Sequence, residues 1–261
     1  MKTNPQLTGY QLKLLMAGIM VLDHIHQMFY YVGAPIWLTM VGRLVMPIFL
    51  FMCAEGYAHT RNRKQYAKRL YISFLLMNAA SFVIMRILPL DEVILMNNVF
   101  GTMFLSVVAM YGVDLLREKK AASVLKGLGI LLLPILSYGI PLISIMLGFV
   151  PGVFTSFILP SYFTVEGGVL CVALALAFYL LRGKSWAQYL ALALVALVST
   201  SFKFTNLFNS NIQWMMGFAI LPLMFYNGQR GKGSKYFFYW FYPAHIYLLY
   251  VLSYLYHTYL M

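Results

Sequence analysis

From Gly9 to Tyr30 the chain carries an apolar run long enough to cross a bilayer, and inside that run stand Asp23, His24 and His26. About 20 apolar residues span roughly 30 Å of hydrocarbon, and an ionisable side chain at that depth costs about 2.5 kcal/mol or more unless it faces a partner or water. Ionisable groups this close together in such a run point inward, away from lipid. Composition extends the reading to the whole chain: 62% of residues are hydrophobic, only 10% are charged, and mean hydropathy is +0.77. That is the composition of an all-α, polytopic helical membrane protein. No stretch is polar enough to form a separate soluble domain, so residues 1–261 read as a single domain.

The formal charge of +12 would suggest nucleic acid in a soluble chain, but here the cations sit in short loops beside hydrophobic segments. The positive-inside rule places them there, and a nucleic-acid partner is excluded on that ground. Walking the spans with charge as a check gives crossings at about 9–30, 40–59, 66–88 and 93–116. The long block 122–181, interrupted by Pro134, Pro141, Pro151 and Pro160, supplies two crossings with a broken piece over roughly 148–163. Further crossings follow at about 186–200, 212–226 and 236–257. The expectation is about nine transmembrane helices, with the N-terminus cytoplasmic and the C-terminus outside. Of 19 Lys and Arg, only Arg43, Arg86 and Lys203 then fall outside the cytoplasmic ends. The first run lacks the clean core of a cleavable signal peptide and reads as a retained helix. Cys53 and Cys171 lie in apolar runs without metal-ligand spacing and read as core thiols.

Setting the loop charges aside leaves Asp23, His24, His26, Arg43, Glu55, His59, Glu166 and His245. On a helix, His24 lies about 100° from Asp23 and roughly 20° in azimuth from Lys13, about 16 Å away, so one stripe joins Lys13 to His24. A neutral imidazole beside a carboxylate suits general-base work or a proton relay; the alternative is a helix–helix hydrogen bond. His26 either joins that chemistry or satisfies Asp23. Glu55 and His59 lie four apart and can orient Arg61 or Arg63. The mouth formed by Arg61, Arg63 and Lys64 suits a phosphate-bearing ligand, although topology alone would also produce it. Arg43 either neutralises Asp23, stabilises an oxyanion or snorkels. Pro243 loosens the backbone before His245, as happens where helices line a cavity. No Gly-rich phosphate loop, HExxH or Ser nucleophile elbow is present, so no metal is expected.

The blocks LKLLMAGIMVLDHI (Leu12 to Ile25), GRLVMPIFLFMCAEGYAHTRNRKQYAKRL (Gly42 to Leu70) and KYFFYWFYPAHIYLLY (Lys235 to Tyr250) resemble, in this order, the TraX family of integral-membrane proteins, within a wider group that includes acyltransferase-3-type enzymes. The resemblance implies a bacterial cytoplasmic-membrane protein that transfers an acetyl group from acetyl-CoA. The family is associated with N-terminal acetylation of pilin, and relatives acylate sugars of cell-surface polymers. By position, the family's Asp-His pair falls on Asp23 and His24, its EG and TR pairs on Glu55, Gly56, Thr60 and Arg61, and its YPxH on Tyr242, Pro243 and His245. His26 stands where the family has a small residue, and YFTVEGG (Tyr162 to Gly168) where a DYG-like tripeptide is usual.

Joined together, residues and resemblance give an expected mechanism. Arg61, Arg63, Lys64 and Lys13 engage the phosphates of acetyl-CoA from the cytoplasm, with Glu55 and Tyr242 in the donor site. His24, oriented by Asp23, deprotonates the amine or hydroxyl of a cell-surface protein or glycan, directly or through an acetyl-His, while Arg43 or His245 stabilises the oxyanion. The competing classes are a proton-coupled transporter, for which the chain shows no inverted repeat, and a non-catalytic scaffold for surface-filament assembly.

Overall fold

A computed structural model describes residues 6–148, 150–234 and 236–261. Met1–Pro5 and Phe149 lie outside the described residues, as does Lys235, one of the expected cytoplasmic cations. Among the described residues the fold is all-helical. The α-helices are α1 (Gly9–Phe29), α2 (Trp37–Gly42), α3 (Val45–His59), α4 (Arg63–Ile87), α5 (Val99–Arg117), α6 (Ala121–Met146), α7 (Gly168–Leu180), α8 (Ser185–Ser199), α9 (Ile220–Met224) and α10 (Phe237–Leu260). Tighter 3-10 turns lie at Tyr30–Val32, Val150–Phe157 and Gln213–Ala219. Among the described residues four segments are long and apolar enough to cross a membrane: Trp37–His59, Arg63–Ile87, Val99–Arg117 and Ala121–Met146. Gly168–Leu180, Ser185–Ser199 and Gln213–Met224 are apolar but shorter. The crossing expected from about residue 93 begins only at Val99, because residues 93–98 carry no helix.

The chain divides into two compact units. The first comprises residues 1–52, 81–96 and 184–261, and the second residues 53–80 and 97–183. In the first, α1 packs on α2 and α10. Local sequence explains how α1 starts: Thr8 and Gln11 form a capping box, the Thr8 N–H donating to Gln11 Oε1 (3.0 Å) and the Gln11 N–H to Thr8 Oγ1 (3.4 Å). Gly42 lets α2 approach α1 closely, since a Cβ there would overlap the side chain of Asp23.

In the second unit α5 packs on α6 and α7. Glycine makes the α5–α6 contact close: a Cβ on Gly127 would stand 2.8 Å from the carbonyl oxygen of Gly112. Helix α6 runs continuously through Pro134 and Pro141. The segment after it is latched back by Ser161, whose hydroxyl donates to the Pro134 carbonyl (2.7 Å). Much of α6 is exposed, Leu125, Leu133, Leu136 and Met146 among the most open positions, as expected of a helix facing lipid.

Candidate functional site

In the first unit, the inward stripe of α1 meets α2 on one side and α10 on the other. Asp23 and His24 are both buried, at 9% and 3% exposure, yet as consecutive helix residues they face different partners. Asp23 faces α2. Arg43 Nη2 donates to its Oδ1 (2.8 Å) and Oδ2 (3.1 Å), and to Thr39 Oγ1 (2.7 Å), while Arg43 Nε donates to the Thr39 carbonyl (3.1 Å). Thr39 Oγ1 also donates to Asp23 Oδ1. Of the roles open to Arg43 in the sequence, the geometry displays neutralisation of Asp23.

His24 faces α10. Its Nδ1 lies 2.7 Å from Nε2 of His245, whose Nδ1 lies 2.7 Å from the carbonyl oxygen of Phe241. A carbonyl only accepts, so His245 Nδ1 carries the hydrogen; in the neutral ring Nε2 is then a lone pair, and His24 Nδ1 must be the donor. The hydrogen positions follow from chemistry and fix the remaining atom: Nε2 of His24 is a lone pair with no hydrogen-bond partner among the described residues. Phe241 stacks on the His245 ring (centroids 4.8 Å), and buried Tyr242 presents an edge to both imidazoles, at 6.1 Å and 5.9 Å. Pro243 lacks the N–H that would bond to the Tyr239 carbonyl, and so loosens the turn of α10 on which His245 sits.

Two expectations change here. His24 is oriented by His245, not by Asp23, because residues one apart on a helix cannot share one face. His26 does not satisfy Asp23 either: its Nδ1 lies 2.9 Å from the Ala34 carbonyl. Lys13 lies on α1 with its Nζ 4.7 Å from the centre of the Phe238 ring.

Of the other expected donor residues, Tyr242 lies in the first unit, and Glu55, Arg61, Arg63 and Lys64 lie in the second, where Glu55 and Arg63 are engaged. Glu55 and His59 do meet, but the cation they bind is Arg182, not Arg61 or Arg63. Arg182 Nε donates to Glu55 Oε1 (2.7 Å), and its Nη2 lies 3.0 Å from His59 Nε2. Arg63 is taken by Asp114 on α5, which accepts from Arg63 (2.7 Å), Tyr57 (2.8 Å) and Tyr179 (2.7 Å). Arg61 and Lys64 are exposed. Glu166 accepts from the Asn98 backbone N–H (3.1 Å) at the start of α5. Among the described residues no group of three or more His, Cys, Asp and Glu could hold a metal ion.

The sequence candidates omit Thr39 and Asp114. Thr39 is signalled by its i,i+4 spacing to Arg43. Asp114 is hidden by its nearness to Arg117 and Glu118 at the end of α5, where charge ordinarily means a solvated loop.

Several apolar helices, four of them among the described residues long enough to cross a bilayer, define a helical membrane protein, and a histidine pair and an ion pair are buried within its first unit. Within that class the family is shown by similarity: the TraX protein family matches residues 8–253, and the chain belongs to it. It is also 28% identical to a Dichelobacter nodosus protein described as a probable fimbrial assembly protein FimC, serogroup H1, over 95% of this chain and 97% of that one. No solved structure matches the chain.

Proposed function

We propose that this protein is a membrane-embedded acyltransferase that moves an acetyl group from cytoplasmic acetyl-CoA to an amine or hydroxyl of a cell-surface protein or glycan. In this reading it lies in a bacterial cytoplasmic membrane with about nine crossings, N-terminus inside and C-terminus outside. The observation that carries the proposal is the His24–His245 hydrogen bond, because it leaves Nε2 of His24 as an unclaimed base in a desolvated core. Bound acetyl-CoA supplies an activated acetyl thioester. Nε2 of His24 accepts the proton of the amine or hydroxyl as that group bonds to the acetyl carbon, and returns it to the CoA thiolate as the C–S bond breaks; the Nδ1–H bond to His245 strengthens while His24 carries the charge. His245 is therefore a positioning residue whose own proton is pinned by Phe241. Arg43 and Asp23 keep α2 in register with α1, and Tyr242 walls the two rings. Lys13 fits a phosphate of the donor: it shares α1 with His24 and has no carboxylate partner among the described residues. In the second unit Arg61 and Lys64 are exposed cations, whereas Arg63 is held by Asp114.

The test is His24→Ala, assayed for CoA release with candidate acceptors and for acetyl groups on surface protein and glycan by mass spectrometry. Loss of transfer by about 100-fold or more with an unchanged melting temperature is expected. Full activity in a folded His24→Ala protein would end the proposal.

One observation favours a second reading. The similar Dichelobacter nodosus protein is described as a fimbrial assembly protein, which suits a non-catalytic scaffold for surface-filament assembly. A deletion strain complemented with His24→Ala separates the two: filaments restored at normal level support the scaffold, and filaments lost along with acetylation support the enzyme.

A further inference from the structure

At the start of α1 the chain lays a second segment alongside the helix. Leu7 N–H donates to the Phe225 carbonyl (2.7 Å), Asn227 N–H to Leu7 (3.0 Å), Gly9 N–H to Gln229 (2.8 Å) and Tyr10 N–H to Arg230 (2.9 Å). The opening N–H groups of α1 are thereby used by backbone, so the helix end is not itself an anion site. What the pairing does is fix Arg230 and the residues after it. Gly231 has φ +76°, and a Cβ there would run into Thr8; a Cβ on Gly233 would overlap the ring of Tyr10. Only a glycine-bearing segment can lie this flat on the first turn of α1.

Lys13 stands about one turn further along α1 than Tyr10. Its ammonium lies over the Phe238 ring rather than loose in a loop, and the Tyr10 N–H bond to the Arg230 carbonyl brings the backbone of Arg230 to the turn of α1 just before it. Among the described residues, Lys13, Arg230 and Lys232 have no carboxylate partner. Asp23, Glu55, Glu92 and Asp114 are committed elsewhere, to Arg43, Arg182, His257 and Arg63. Arg230 and Lys232 are exposed and Lys13 is half-buried, so the pinned segment presents its cations at the surface beside α1. Topology asks only for cations in a loop, not for a loop bonded tightly onto the helix that carries another cation. The backbone bonds and glycines hold the segment in place, and an anion is the partner its cations and Lys13 lack.

We propose that Lys13, Arg230 and Lys232 form a phosphate-binding cradle floored by residues 227–234, and that it receives the nucleotide phosphates of the acyl donor. The cradle stands on this geometry, whereas the identity of its ligand rests on the acyltransferase reading. Arg offers a planar fork to phosphate oxygens and Lys a compact charge.

The test uses the full-length protein in nanodiscs, with CoA and 3′-dephospho-CoA as soluble probes and discs of phosphatidylglycerol or phosphatidylcholine. Arg230→Gln and Lys232→Gln should each weaken CoA about tenfold or more, and the double variant should also flatten the salt dependence. Lys120→Gln and Lys126→Gln control for general loss of positive charge and should bind as the parent does. Arg230→Lys should recover part of the affinity, and an unchanged ligand-free melting temperature reports an intact fold. His24→Ala should still bind CoA, so failure of the chemistry and failure of the cradle are read separately. If CoA does not bind, but stabilisation by phosphatidylglycerol is lost in the double variant, the cradle holds lipid phosphate and the donor assignment is overturned. If the folded double variant binds CoA and responds to phosphatidylglycerol as the parent does, the cradle itself is overturned.

Discussion

One backbone oxygen decides the chemistry of two histidines. Because the Phe241 carbonyl fixes the hydrogen on His245 Nδ1, His24 receives an acceptor at Nδ1 and is left with its lone pair at Nε2. On the acyltransferase reading, His245→Ala should lower turnover about 100-fold. His245→Gln, which can still offer an acceptor oxygen, should retain more; CoA release under saturating donor and acceptor separates the two variants. The ion pair on the other side of α1 has a different signature. Asp23→Ala leaves the Arg43 guanidinium without its carboxylate and should destabilise the protein by about 3 kcal/mol, and Asp23→Ala/Arg43→Met should recover much of that loss in thermal unfolding. Spacing alone makes Asp23 and His24 legible as inward residues and Arg43 as one possible partner of Asp23. The His24–His245 contact joins residues 221 apart in sequence, a separation no helical periodicity can encode.

At the scale of elements, short-range chemistry was readable and close approach was not. The capping box at Thr8 and the i,i+4 pair Glu55–His59 are local patterns written in adjacent turns. By contrast, Gly42 looks like any small residue until α2 is seen against Asp23. Gly42→Leu should drive α2 away from α1, costing about 1–3 kcal/mol in stability and lowering activity with it. In the second unit, Asp114 ties together Tyr57 on α3, Arg63 at the start of α4 and Tyr179 on α7. Asp114→Ala should therefore lower the melting temperature more than Asp114→Asn, whose amide oxygen still accepts one donor. Both variants leave the His24 pair untouched in sequence, so a fall in stability without a matching loss of turnover per folded molecule is the expected pattern.

For the whole molecule, composition points to a membrane, and helices whose backbone N–H and C=O groups are satisfied within each segment suit side chains this apolar. The division into two units is not legible, since it falls inside α3 and α4 and depends on which helices pack together. Among the described residues four segments have the length and hydropathy to cross, while α7 and α8, at 13 and 15 residues, are shorter than an ordinary crossing. The proposed orientation predicts that single cysteines placed at Lys120 and Gly183 react only with permeant maleimides in intact cells, and that one at Asp91 reacts with impermeant ones. The reverse pattern would invert the topology and with it the side from which a donor reaches Lys13.

The loosened turn at Pro243 lends the histidine pair a mechanical handle. Since the proton on His245 is pinned by a carbonyl of its own helix, any bend of α10 that drew Phe241 away would unpin it, and the hydrogen could settle on the opposite nitrogen. His24 would then flip its own tautomer in step, turning its outward nitrogen from a proton acceptor into a donor. Curvature of a single rod would thus act as a chemical selector, switching basicity on or off without any residue leaving the core.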